Sequence, residues 1–304
     1  MIDPGRAVDR APRTLAVLFL AGVCACRGPA GTPDRAALGR VERRGSGAAH
    51  VVLIPCHSCD WRSWEPFMER NAARYTMHAV TLAGMGGSAP PPTSPTLSAT
   101  PWFDAAAEAI AAYVRGQGPE RAVVVGHSLG AIVALKVTLD HPGVVSKLVL
   151  VDWGAVHPRS AGLDAPARLA GGRARAEQVL SMTPEEFQAQ AESALQDGIQ
   201  DPTRVPVYLD MVRRVSQAVS AQYSREMRAV DLRPRLGEIK IPLMAMFAFQ
   251  PDAERGARLA EVQSVLAGDK TVSIQWFENT GHWIHEDQPA RFDAALHEFI
   301  DKGD

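Results

Sequence analysis

The sequence predicts an α/β fold: a mostly parallel central sheet flanked by helices, with a helical cap inserted between two of the strands. Three observations support this prediction. From residue 48 onward, short apolar runs typical of strands alternate with helical patterns. One strand passes through a Gly-x-Ser-x-Gly turn directly into an apolar helix. Between residues 153 and 238, amphipathic helical patterns replace the strand runs.

The first 26 residues have the composition of a leader. Three arginines precede the apolar run at residues 15–23, which is too short to span a bilayer and is typical of a signal-peptide core. The string Val23-Cys24-Ala25-Cys26 resembles a bacterial lipobox, in which a lipid on Cys26 would tether the chain to a membrane. We expect residues 1–26 to be a signal peptide, either cleaved or of the lipoprotein type, and residues 27–47 to be a flexible tether.

Composition limits the class of protein. The 304-residue chain is 46% hydrophobic and 22% charged, which fits one large globular core. Its net charge of -2 offers no basic field for nucleic acid, so we expect a small, apolar partner. The leader predicts export to the bacterial periplasm or cell envelope; a cytoplasmic protein with a frayed apolar leader is the alternative.

The core is expected in two segments, residues 48–152 and 239–304. Its predicted strands are Val51–Pro55, Tyr75–Thr81, the valine run before Gly126, Lys147–Val151, Ile241–Phe247 and Val272–Phe277. Its predicted helices are Trp61–Ala73, Phe103–Arg115, the segment after Ser128, and Gln288–Asp301. Strands and helices that alternate in this way form a parallel sheet whose active site lies at the carboxyl ends of the strands.

Residues 153–238 are expected to form the cap. Thr183–Gln196 and Tyr208–Arg228 have amphipathic helical patterns, separated by Gly and Pro signals. An insertion between two strands of such a sheet would lie over the strand ends, exclude water and shape a substrate pocket. A helical excursion elsewhere on the surface is the alternative.

Ser128 is the candidate nucleophile. It stands at the apex of the turn Gly126-His-Ser-Leu-Gly130, between a strand of β-branched residues and a helix. Such a sharp turn exposes the hydroxyl and leaves no room for a Cβ two residues before or after the serine, which explains the two glycines.

His282 is the candidate base for this serine. It follows the last predicted strand and precedes the last helix, so it can reach the serine from the sheet end. His285 is the less favoured candidate, and His127 is interpreted as structural because the turn points it away from Ser128.

Two carboxylates could orient His282. Asp252 follows the strand at 241–247, and Asp152 follows the strand at 147–151. A buried carboxylate fixes the imidazole tautomer and stabilises the imidazolium. We favour Asp252 and keep Asp152 as the alternative.

Cys56 and Cys59 introduce a competing function. The string Cys-His-Ser-Cys lies between a strand and a helix, as in a thioredoxin-like redox site. A redox function leaves Ser128 and His282 unexplained; a structural disulfide or two free thiols are the other interpretations. Two cysteines without further ligands nearby predict no metal site.

Taken together, these motifs resemble the α/β-hydrolase fold in its esterase branch with a helical cap. The matching strings are Gly126-His-Ser-Leu-Gly130, Gly84-Met-Gly-Gly-Ser88, Leu148-Val-Leu-Val-Asp152, Ile241-Pro242 and Gly281-His282, in the order serine, acid, histidine. The resemblance implies a serine hydrolase that cleaves carboxylic esters through an acyl-enzyme, without a cofactor. It also implies an oxyanion hole from the amides of Leu129 and Cys59.

Substrate class is less sharply predicted. The loops at the strand ends carry large apolar side chains, which suggest a pocket for small apolar or aryl esters: Trp61, Met85, Trp153, Phe249 and Trp283. Acyltransferase, perhydrolase, lactonase and C–C hydrolase activities use nearly the same residues. An inactive binding protein of the same fold is a further alternative.

Overall fold

The computed structural model describes Met1 and residues 37–91, 98–117, 120–196, 198–249 and 272–302. Its strands form one sheet in the order β1-β3-β2-β4-β5-β6-β7, in which β1 pairs antiparallel with β3 and every other pair is parallel. The strands are β1 Leu38–Arg44, β2 Ala49–Ile54, β3 Tyr75–Leu82, β4 Ala122–His127, β5 Val145–Val151, β6 Leu243–Phe249 and β7 Val272–Glu278. The predicted fold class is therefore confirmed.

Some helices cover the two faces of this sheet, and others form the insertion between β5 and β6. They are α1 Glu65–Asn71, α2 Pro101–Gly116, α3 Leu129–Asp140, α4 Ala165–Leu180, α5 Pro184–Gln196, α6 Val205–Arg213, α7 Gln217–Ala229, α8 Ile284–Asp287 and α9 Pro289–Asp301. Among the described residues, no helix is long and apolar enough to cross a bilayer.

The buried central strands explain why the sheet forms. Every residue of β3 and of β4 is buried, as expected for parallel strands that are covered on both faces. Alternate side chains of β4 point to opposite faces, so Val124 packs with α2 and α3 while Val123 and Val125 pack with α1 and α9. The two apolar cores hold the strand ends in fixed positions.

Strand β1 differs from the sequence prediction. Residues 27–47 were expected to be a flexible tether, but Leu38–Arg44 pairs with β3 at the edge of the sheet. Its charged residues interrupt the apolar run by which the other strands were predicted. Charged residues are common on an edge strand, because they discourage pairing with other chains.

Residues 153–238 are helical, but the boundaries differ from the prediction. Helix α4 was missed because it carries little apolar surface; it packs along α7, and Gly172 permits this approach, since a Cβ there would lie 2.6 Å from the Arg225 carbonyl oxygen. The helix predicted at Tyr208–Arg228 is two helices, α6 and α7, with Ser216 capping the second. We call α4 to α7 the inserted helices.

The insertion leaves and rejoins the sheet at one place. The amide of Leu232 donates to the carbonyl of Ala155 at 2.9 Å, and Val156 forms an antiparallel bridge with Asp231. Strands β4 and β5, which are neighbours in the sheet, end at His127 and Val151. Ser128 and Asp152 consequently lie side by side at the carboxyl ends of these two strands, beside the start of the insertion.

Candidate active site

Ser128 lies at a strained turn between β4 and α3. Its backbone has φ 55° and ψ -120°, a conformation that residues other than glycine rarely adopt. A Cβ at Gly126 would lie 2.2 Å from the Gly130 carbonyl oxygen, and one at Gly130 would lie 2.4 Å from the Ile54 carbonyl oxygen. Both positions therefore require glycine, as the sequence predicted, and the serine is held above the end of the sheet.

Asp152 contacts His282 directly. The residue follows β5 with φ 48°, its side chain is 3% exposed, and its Oδ2 lies 2.5 Å from Nδ1 of His282. The other carboxylate oxygen accepts a hydrogen bond from the Ala248 amide at 3.0 Å. Because an ionised carboxylate can only accept, Nδ1 of His282 is the donor in this contact. Asp252, the acid favoured from sequence, lies outside the described residues.

The loop that carries His282 is fixed from both sides. The Gly281 amide donates to Oδ2 of Asp287 at 2.7 Å, and the His282 amide donates to the carbonyl of Gly198, next to α5, at 3.0 Å. A Cβ at Gly281 would lie 2.0 Å from that same Gly198 oxygen. A backbone contact from the inserted segment thus helps to fix the loop that carries the imidazole.

Two further histidines surround His282, and both are buried. His127 donates from Nε2 to the His282 carbonyl oxygen at 2.8 Å, which is a structural contact. Burial, followed by the nearby His282 and His285, holds the pKa of His127 well below its usual value. His285 stacks on Trp64 at 4.3 Å and donates to the Ser63 carbonyl at 3.1 Å, and burial lowers its pKa to about 3. Both rings are therefore neutral at pH 7.

The loop after β2 is closed by a disulfide between Cys56 and Cys59. The amide of Cys59 donates to the carbonyl of Cys56 at 3.2 Å, so the predicted oxyanion donor is engaged within its own loop. Between the cysteines, His57 contacts Ser58 Oγ through Nδ1 at 3.2 Å and Ser220 Oγ through Nε2 at 3.3 Å. The side chain of His57 thereby joins this loop to helix α7.

A cavity of about 610 Å³ lies between this loop and the inserted helices. The segment His57–Cys59, the side chains of α4, α5 and α7, and Trp283 line it. The ring of Trp283 lies 5.1 Å from the ring of His282, so the cavity wall touches the histidine that contacts Asp152. Ser128 and His282 are not themselves among the lining residues.

The predicted pocket residues are distributed differently from the expectation. Trp283 lines the cavity. Met85 is fully buried in the main core, Trp61 lies under the Arg40 guanidinium at 4.5 Å, and Trp153 packs edge-on to His157 at 5.3 Å. The backbone of Phe249 ends β6.

The cavity is also lined by three arginines that the sequence analysis did not identify: Arg159, Arg175 and Arg228. Periodicity could not reveal them, because they come from three separate elements.

The described residues offer no cluster of three or more His, Cys, Asp or Glu side chains that could hold a metal ion. This end of the sheet carries a serine hydroxyl, an imidazole held by a carboxylate, and backbone amides. Such an arrangement can transfer an acyl group.

Comparison with known proteins agrees with this fold. A model of the alpha/beta hydrolase family matches residues 51–295, and the chain belongs to that family. A relative from Citrobacter koseri, a pimeloyl-[acyl-carrier protein] methyl ester esterase, is 27% identical over 214 residues, covering 68% of this chain and 78% of its own.

Solved structures show the same fold. A thermophilic esterase from Thermogutta terrifontis superposes with a TM-score of 0.70 at 20% identity, covering 86% of this chain and 93% of its own. The enol-lactonase from Burkholderia xenovorans LB400 superposes with a TM-score of 0.67 at 16% identity, covering 86% of this chain and 96% of its own.

Proposed function

We propose that this protein is a serine esterase that hydrolyses carboxylic esters through an acyl-enzyme intermediate. One observation carries the proposal: Asp152 contacts His282 at the carboxyl end of the sheet, and the strained turn with Ser128 lies at this same end. Family membership and the similarity to pimeloyl-[acyl-carrier protein] methyl ester esterases favour ester hydrolysis over other chemistry.

The mechanism follows from the protonation of His282. Its Nδ1–H is held by Asp152, so Nε2 takes the Ser128 proton as Oγ attacks the ester carbonyl carbon. The imidazolium then protonates the leaving alcohol, and the C–O bond of the ester breaks. Water attacks the acyl-serine in the same way, its proton passes to His282, and the acid is released as Ser128 regains its hydrogen.

The tetrahedral oxyanion needs two donors. The Leu129 amide is one, because it lies at the start of α3, where backbone N–H groups lack helical partners. The carbonyls of Ile54 and Pro55 lie against the turn at Gly130, so the loop after β2 supplies the other. Since the Cys59 amide is bonded to Cys56, the His57 amide takes this role in the proposal.

A redox function is disfavoured by burial. Cys56 and Cys59 are 2% and 1% exposed, whereas a redox-active pair needs an accessible thiolate. The disulfide instead stiffens the loop beside the proposed oxyanion hole.

The decisive experiment is turnover of p-nitrophenyl acetate, butyrate and octanoate, combined with a fluorophosphonate label that is read by intact mass. The wild type should hydrolyse these esters and gain one adduct that maps to Ser128. Ser128→Ala should lose the adduct and at least about 10⁴-fold in kcat/KM. Ser46→Ala, at an exposed serine after β1, is the matched control and should behave as the wild type. A wild type with neither turnover nor label would instead favour a binding protein.

A further inference from the structure

Three guanidinium groups line the cavity beside the proposed site. Arg159 belongs to a single helical turn after β5, Arg175 to α4 and Arg228 to α7, so the fold collects them from three separate elements. Arg175 and Arg228 are partly buried. Partly buried positive charges gathered around one space require an explanation, because charge is costly to remove from water.

These three arginines differ from most other arginines of the insertion. Four arginines nearby each contact a carboxylate within 3.2 Å: Arg168 with Asp231, Arg204 with Glu286, Arg213 with Glu192 and Arg214 with Asp210. Among the described residues, Arg159, Arg175 and Arg228 have no such partner. Arg175 bonds to neutral amides, the Oε1 atoms of Gln178 at 2.8 Å and of Gln190 at 3.2 Å. The cavity wall described here contains no Asp or Glu.

Neighbouring positive charge contributes to a lowered pKa at four groups around the cavity. Burial and the neighbouring Arg159 lower the pKa of Arg175, and burial with Arg159 and Arg175 lowers that of Arg228. Burial, with a contribution from Arg175, lowers the pKa of His57 to about 4. His157, beside Arg228 and Arg159, also has a pKa of about 4, chiefly through burial. Repulsion of this kind is relieved when an anion binds.

We propose that this cavity binds an anionic group of the substrate, a carboxylate or a phosphate at the end of the molecule away from the scissile ester. Guanidinium groups bind both through paired N–H donors. The substrate would reach from the arginines past Trp283 to Ser128. This inference rests on the proposed esterase function and specifies its substrate: an ester of a small acid that carries a second, charged end, rather than a wholly apolar ester.

The test compares esters that share a leaving group and a six-carbon acyl chain. These are p-nitrophenyl hexanoate, the mono-p-nitrophenyl ester of adipate, and the p-nitrophenyl ester of 6-phosphohexanoate. The ratio of kcat/KM for an anionic ester to that for the neutral ester is measured in the wild type, Arg175→Gln and Arg228→Gln. Arg173→Gln, at an exposed position on the same helix as Arg175, is the matched control.

We expect the wild type to prefer at least one anionic ester. Loss of a hydrogen bond to a charged group should lower the ratio about 10- to 100-fold in Arg175→Gln and Arg228→Gln. The Arg173→Gln ratio should match that of the wild type. Which anionic ester is preferred distinguishes a carboxylate from a phosphate. Melting temperatures close to that of the wild type show that the variants are folded.

A binding measurement distinguishes failure of the anion site from failure of the esterase function. Titration of Ser128→Ala with adipate and with inorganic phosphate reports the anion site without turnover. Esters that are hydrolysed with an unchanged ratio in both variants would overturn the anion site and leave the esterase intact. Anion binding that Arg228→Gln abolishes, in a protein without turnover, would keep the anion site and refute the esterase.

Discussion

Replacing Asp152 by Asn tests the central contact of the site. An Asn side chain has nearly the same shape, and its carbonyl oxygen can still accept from the Ala248 amide, so the fold should survive. The amide NH₂ would face Nδ1 of His282 and donate to it, which reverses the tautomer. Nε2 would then carry the hydrogen and could no longer take the Ser128 proton.

The distance between the two side chains sets the size of the effect. Unit charges 2.5 Å apart attract by about 7 kcal/mol at an effective dielectric constant of 20, which is the ceiling for stabilising the imidazolium. A polar amide keeps part of this stabilisation, so we expect Asp152→Asn to raise the activation barrier by roughly 4 to 5.5 kcal/mol. At 1.36 kcal/mol per tenfold, this is a fall of about 10³ to 10⁴ in kcat.

The assay is steady-state hydrolysis of p-nitrophenyl butyrate by the wild type, Asp152→Asn and Asp252→Asn. Asp252→Asn should retain activity if Asp152 orients the histidine. An Asp152→Asn protein with wild-type melting temperature that keeps more than about a tenth of the wild-type kcat would refute the reasoning. The same result with an inactive Asp252→Asn would assign the role to Asp252.

Two other predictions use groups near the site. Burial lowers the pKa of His285 to about 3 in the folded protein. Between pH 6.5 and about 3, His285 therefore binds a proton in the unfolded chain but not in the folded one. The free energy of unfolding should therefore fall as the pH falls through this window, and His285→Gln should reduce the slope by up to about 1.4 kcal/mol per pH unit, measured by denaturant titration; an unchanged slope would contradict the assignment. Cys56→Ser combined with Cys59→Ser should keep Ser128-dependent turnover, because neither sulfur takes part in the proposed chemistry. A folded double variant without ester turnover would contradict this and show that the reaction needs the disulfide.

Local sequence was sufficient for the features that one short segment encodes. The turn at Ser128 needs glycine at 126 and 130 for steric reasons that arise within a few residues, and the structure has both glycines in that role. Apolar runs likewise predicted six of the strands described here. In the central strands the cause is burial on both faces, which leaves a continuous apolar pattern. The edge strand β1 was not predicted, because a strand at the edge of the sheet carries charged residues in place of an apolar run.

Features assembled from distant segments depended on tertiary structure. Sequence left two acids after two strands, and only the pairing of β5 with β6 and of β6 with β7 brings the loop that carries His282 to Asp152. The oxyanion donor expected at Cys59 depended on a backbone bond within a four-residue loop that residue types do not encode.

The arginine-lined cavity is the clearest case of this division. Arg159, Arg175 and Arg228 are ordinary charged residues in sequence, and each would be read as part of a solvated surface. The sequence by itself determined a Gly-flanked serine in an α/β fold and a histidine near its end, because those signals are local. Which carboxylate meets the histidine, and which charges meet in the cavity, was decided by long-range packing that fixes side chains far apart in the chain.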